Sequence, residues 1–232
     1  MAPFLRNPYL TERVILSVDI ETTPIDDPLV RAEIAAGITP PGNMTKPETI
    51  AAWEETRKPG LVEEAFARGG LSAVTGRICC IGAVHAKGEQ TWCGEDEAEL
   101  LHLFFEYVSG LGEPITFVGH AISSFDLPFI RQRAIVHRRK APLSLRKAWS
   151  AKPWDSEHVG DTMTLWSADR DKRISLDRLC RLLGIPSPKA NGMDGSQVYT
   201  LWQQGKLQEI ADYCVLDCRA ALECYNRIQE VA

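Results

Sequence analysis

No stretch of the chain approaches ~18 consecutive apolar residues, which argues against a membrane-spanning helix. The first residues, Met-Ala-Pro-Phe-Leu-Arg-Asn-Pro, lack the basic patch, apolar run and small-residue cleavage site of a secretory leader. There is no C-x-x-C pair, so a zinc ribbon or a thioredoxin-type site is not expected. An excess of positive charge is missing too. The 26 basic and 31 acidic side chains leave a net charge of −5, and any affinity for nucleic acid must therefore be local. Internal repeats and low-complexity runs are absent. The expectation is a soluble, cytoplasmic protein.

What is present is an ordinary globular composition, 44% hydrophobic and 25% charged over 232 residues, long enough to bury a core without disulfides or structural metal. The seven cysteines are odd in number and scattered among apolar residues, which fits free buried thiols in a reducing compartment. Cys214 and Cys218 are four apart on an apolar stripe, so core packing is preferred over metal binding for them.

Hydrophobic patterning orders the chain. Residues 14–21 form a near-continuous apolar run that reads as a buried strand. Strands over 76–86 and 90–93 follow, with a turn at Lys87-Gly88. A helix from 95 to 108, a strand over 115–118 and a helix from 124 to 138 come next. Two more helices cover 175–183 and 206–228, giving the order β-β-β-α-β-α-α-α, a mixed α/β layer fold. The long connection after Pro24 exceeds any hairpin loop and reads as an inserted set of short helices over about 25–73, within one domain spanning 1–232. Thr45-Lys-Pro-Glu48 looks like a capped helix start there, and 139–159 looks irregular.

Asp19-Ile-Glu21 falls at the carboxyl end of the first strand, where residues two apart project from the same face. Two anions held there repel unless a cation lies between them, and hard divalent cations with oxygen ligands meet that need. A D-x-E triplet arises about once by chance in such a composition, and Asp155-Ser-Glu157 is a second instance, so the strand context carries the weight. Asp126 follows another strand end, the place where open α/β sheets bind ligands, although a capping or first-turn aspartate is the simpler reading. Tyr213 and Asp217 are four apart on the last helix and share a face.

Taken in order, Asp19-x-Glu21, Phe125-Asp126 and Tyr213-x-x-x-Asp217 resemble the three motifs of the DEDD (DnaQ-like) 3′→5′ exonucleases, tyrosine subclass. More narrowly, the chain is similar to stand-alone exonucleases related to the proofreading domain of family B DNA polymerases. Phe125-Asp-Leu-Pro128, Asp161-Thr-Met-Thr-Leu-Trp166, Ser175-Leu-Asp-Arg-Leu and Met193-Asp-Gly-Ser-Gln-Val198 add to this likeness, which runs over about 14–228. The family often has Asn where Ala121 stands. The resemblance implies a ribonuclease H-like fold, a mixed central sheet flanked by helices.

It further implies that Asp19, Glu21, Asp126 and Asp217 hold two divalent cations, Mg²⁺ or Mn²⁺, roughly ~4 Å apart, while Tyr213 orients the attacking water. The implied reaction shortens DNA from single-stranded 3′ ends and releases nucleoside 5′-monophosphates. Thr22 and Phe125 are implied to contact the terminal nucleotide. His120 is a further substrate-binding candidate, although a lone histidine beside a strand end is more often structural. A basic tract over 131–152 holds Arg131, Arg133, Arg138, Arg139, Lys140, Arg146, Lys147 and Lys152 without an acidic residue. It reads as a phosphate track, with Trp149 and Trp154 as stacking faces. An exoribonuclease with the same site, or a silent nucleic-acid-binding module, remains open, as does a polymerase or repair partner in trans.

Overall fold

The computed structural model describes residues 13–231 apart from 153–154 and 168–172. Its centre is a five-stranded sheet whose strands lie in the spatial order 88–93, 76–85, 14–24, 115–119 and 159–161. Strand β1 (Val14–Pro24) pairs antiparallel with β2 (Gly76–His85), which turns back into β3 (Gly88–Cys93). On its other edge β1 runs parallel to β4 (Ile115–Gly119), and β4 runs parallel to β5 (Val159–Asp161). The hairpin closes one residue earlier than Lys87-Gly88, since His85 pairs with Gly88. β5 lies within the stretch expected to be irregular and is only three residues long, too short for a periodic signal.

Helices cover both faces, as the period-two pattern of β1 requires. Leu16, Val18 and Ile20 point into the main core, which they share with α4 (Glu97–Gly110) and α5 (Asp126–Val136). Asp19 and Glu21 alternate with them and point to the opposite side, toward α10 (Leu207–Gln229). There Ile210, Ala211 and Cys214 of α10 pack with Cys79 and Cys80 of β2. The approach is close: a Cβ on Gly82 would sit 2.9 Å from the sulfurs of both Cys214 and Cys218. Only glycine lets this helix lie so near the sheet.

The connection after β1 contains three helices, α1 (Pro28–Gly37), α2 (Pro47–Thr56) and α3 (Lys58–Ala67), closed by a 3₁₀ turn at Arg68–Leu71. A proline opens each helix in its first turn, where the missing N–H costs nothing. Thr45 does not cap α2. The cap is Lys46, with no side-chain hydrogen bond, because Pro47 already sets the first helical residue. The stretch 139–159 is also more ordered than its sequence suggests, with α6 (Leu143–Ser150) burying Leu145 and Ala148. After β5 come α7 (Thr162–Ser167), α8 (Leu176–Leu183), capped by Ser175, and α9 (Val198–Gln203). No helix among the described residues is long and apolar enough to cross a membrane.

Candidate nuclease site

The carboxyl end of β1 is bent where the site is built. A bulge places Cys79 of β2 opposite the Glu21–Thr22 step, and its thiol donates to the Glu21 carbonyl at 3.3 Å. Glu21 is buried and Asp19 half-buried. Asp126 opens α5 from the parallel strand β4 and is almost fully buried. Its Oδ1 accepts the Ile20 N–H at 3.1 Å, so the carboxylate is clamped to β1 between Asp19 and Glu21. Asp126 is thus a first-turn aspartate of α5, with Phe125 at the cap position, and its carboxylate clamps the helix to β1.

α10 brings the remaining two residues. Tyr213 is buried, and its phenol and the Asp217 carboxyl one turn on influence each other's ionisation. The Oδ1 of Asp217 is buried with no hydrogen-bond partner. Cys214 lies beside them, its thiol donating to the Asp19 carbonyl at 3.4 Å and its Sγ 3.6 Å from Asp19 Oδ2. Ligand atoms of Asp19, Glu21 and Cys214 all fall within 4.8 Å of one another.

Four carboxyls gathered in a buried site disfavour one another's ionisation. Burial, then the charges of Asp126, Glu21 and Asp217, push Asp19 well up. Burial and then Asp217 and Asp126 do the same to Glu21. Burial lifts Asp126 to about 7 and Asp217 to about 6, although Tyr213 and Lys189 pull Asp217 the other way. Burial followed by the neighbouring carboxylates raises the Tyr213 phenol, which stays neutral. Clustered oxygen donors, an orphaned buried Asp217 oxygen and carboxyls that resist ionising together fit a divalent-cation site.

The substrate candidates separate. Thr22 follows Glu21 and is half-buried, and Phe125 stands at the start of α5 with its ring 5.6 Å from Phe129. Arg131 is exposed, six residues after Phe125 on the same helix. His120 has both ring nitrogens taken, Nδ1 by Thr162 Oγ1 at 2.9 Å and Nε2 by the Ile174 carbonyl at 2.8 Å. Burial lowers its pKa, so the ring is a neutral brace between β4 and the segment before α8. The second D-x-E is spent on its own loop: Asp155 accepts the Glu157 and His158 N–H groups, and Glu157 pairs with Arg13 at 2.7 Å.

The basic tract is not a single track. Arg133 is buried against Glu97, with Nη2 2.6 Å from Oε2, and Lys147 pairs with Glu113 at 2.6 Å. Trp149 packs on the main core rather than offering a stacking face, and Trp154 lies outside the described residues. Two residues that carried no role at the site in the sequence reading bear on it. Asp161, at the end of β5, accepts N–H groups from Ala121, Ser123 and Met163 at 3.0–3.1 Å and so sets the loop leading to Asp126. Lys189 acts on Asp217 from a turn remote in sequence from the basic tract. An aspartate at a strand end was the available signal for the first, while nothing local marks the second.

Residues 74–232 match a family model described as a predicted 3'-5' exonuclease related to the exonuclease domain of PolB. The matched segment holds Asp126, Tyr213 and Asp217 and starts after Asp19 and Glu21. No curated protein matches the chain.

Proposed function

The chain belongs to the family of predicted 3′-5′ exonucleases related to the exonuclease domain of PolB, and on that premise we propose that it hydrolyses DNA from single-stranded 3′ ends, releasing nucleoside 5′-monophosphates. We read residues 1–232 as one exonuclease domain carrying the helical insertion over about 25–73. The observation that carries the reaction is the mutual repulsion of Asp19, Glu21, Asp126 and Asp217, from strand β1 and the helices α5 and α10, with raised carboxyl pKa values and an orphaned buried oxygen.

These four carboxylates would hold two divalent cations, Mg²⁺ or Mn²⁺. When bound, the cations supply a water activated for attack and stabilise the departing 3′ oxygen. Tyr213 stays a neutral phenol, so it positions the attacking water by hydrogen bonding and does not act as general base. Asp126, clamped to the Ile20 N–H, sets the separation between α5 and β1. Thr22 and Phe125 flank this centre and contact the terminal nucleotide, while Arg131 meets a phosphate further along the strand.

The test uses 5′-labelled single-stranded DNA, duplex DNA and RNA with Mg²⁺ or Mn²⁺, an EDTA control and an Asp19→Ala, Asp217→Ala protein. A cation-dependent ladder shortening from the 3′ end of single-stranded DNA, absent in the double variant, is expected. Faster loss of RNA would reassign the substrate. Binding without cleavage of any strand would leave a silent binding module on this fold.

A further inference from the structure

The carboxylates of the site have an uninvited neighbour. Cys214 precedes Asp217 by three residues, so it shares that residue's side of α10, and its thiol reaches Asp19 of β1. Its side chain is fully buried. The sulfur lies 3.6 Å from Asp19 Oδ2, and with a Glu21 oxygen it completes the only group of three or more metal-capable side chains found close together among the described residues. Cys180 and Cys224 meet each other at 3.7 Å. Cys214 neighbours Cys80 and Cys218 in the same way, and in addition reaches a carboxylate oxygen.

That difference changes which cation the position favours. An all-oxygen set suits Mg²⁺ or Mn²⁺, whereas a thiolate added to carboxylates suits Zn²⁺ and its softer relatives. With Zn–S of about 2.3 Å and Zn–O of about 2.0 Å, a tetrahedral centre sets sulfur and oxygen about 3.5 Å apart. The thiol and Asp19 Oδ2, now joined by an S–H···O contact of 3.6 Å, can therefore bind one such cation without moving apart.

We propose that Asp19, Glu21 and Cys214 form a site for one thiophilic divalent cation of the Zn²⁺ class, with Cys214 bound as thiolate. The S–H proton leaves to solvent as the metal–sulfur bond forms, and no electron transfer is involved. Such a cation occupies carboxylates assigned above to the catalytic Mg²⁺ or Mn²⁺, so it competes with them and silences hydrolysis. The inference shares those carboxylates with the proposed nuclease site, but not its turnover.

The experiment loads the full chain, stripped of metal, with one equivalent of Zn²⁺ and records X-ray absorption at the zinc edge. One sulfur neighbour at about 2.3 Å beside oxygen ligands is expected. An oxygen-only shell overturns the proposal, and so does a shell of two or more sulfurs, which would move the cation into the cysteine core. This needs no variant. In parallel, Co²⁺ titration should give a thiolate-to-metal charge-transfer band that Cys214→Ser abolishes and Cys180→Ser retains. A band that survives in folded Cys214→Ser also overturns it. Zn²⁺ affinity, read by competition with a chromophoric chelator, should fall at least ~10-fold in Cys214→Ser. Failure of the nuclease assay beside an intact zinc–sulfur shell would count against the hydrolytic reading alone.

Discussion

The Oδ1 of Asp126 accepts the backbone N–H of Ile20 at 3.1 Å, which ties the first turn of α5 to β1 between Asp19 and Glu21. One carboxyl group thus serves as structural clamp and as member of the acidic cluster. The two roles can be pulled apart. Asp126→Asn keeps an acceptor oxygen for Ile20 while removing the charge, so it should abolish cation-dependent nuclease activity with the melting temperature held or raised. Asp126→Ala loses both roles and leaves a buried N–H unpaired, costing about 1–3 kcal/mol. Equal melting temperatures for the two variants would show that the clamp contributes nothing.

Raised carboxyl pKa values make the metal-free protein sensitive to pH, with a definite sign. Asp126 stands at about 7 and Asp217 at about 6, both against an ordinary 3.8, chiefly through burial. Folded carboxyls therefore hold protons that the unfolded chain has released. Their stabilising contribution is fully present below the unfolded values and is lost as pH rises through about 6 to 7. Mg²⁺ or Mn²⁺ should restore it, and by more at pH 8 than at pH 5, where bound protons compete. At 100 times the dissociation constant the gain is about 2.7 kcal/mol. Thermal melts at both pH values, with and without cation, check this; a larger cation shift at pH 5 would contradict it.

Glu97 organises a second buried charge cluster on the opposite face of the sheet. Its carboxylate receives Arg133 Nε at 2.9 Å, the Ile78 N–H at 2.7 Å and a contact from His137 Nε2 at 2.6 Å. Burial pushes its pKa up, but Arg133, the Ile78 N–H and His137 bring it below the ordinary value. Arg133 also donates to the Ala73 carbonyl at 3.1 Å, fastening the end of the inserted helices to α5. Glu97→Ala strands a buried guanidinium and should cost about 3–5 kcal/mol in chemical denaturation. Breaking the exposed Arg219–Glu89 pair should cost less than about 1 kcal/mol. Comparable losses at the two places would refute the contrast.

Ala121 adopts φ +64°, a left-handed conformation that asparagine and glycine tolerate better than alanine. Its N–H is held by Asp161 at 3.1 Å, so the strain is imposed by that carboxylate. Ala121→Asn should stabilise the protein by about 1 kcal/mol, read as a higher denaturation midpoint. Asp161→Ala should lower that midpoint and reduce activity by releasing the loop before Asp126. Destabilisation by both Asn and Gly at position 121 would show that the backbone there is unstrained.

Local periodicity carried much of this in the sequence. Alternation along residues 14–21 puts Asp19 and Glu21 on one face of a strand, and a four-residue spacing puts Tyr213 and Asp217 on one face of a helix. Such relations depend only on backbone geometry, which a short stretch of sequence reports. The short β5 strand and α6 carry too few periods to be read in that way.

Relations between distant segments were a different matter. Arg133 belongs to a basic tract by composition, yet it is buried because Glu97 arrives from α4. His120 and Trp149 present chemistry for substrate contact on paper, but Thr162, Ile174 and the core take them up. Asp161 acquires its role only when β5 docks beside β4. Cys214 reads from its neighbours as a core cysteine and is also a neighbour of Asp19, 195 residues away in the chain. A sequence pattern reports which face a side chain takes on its own element, whereas the partner it meets there is decided by which elements pack together.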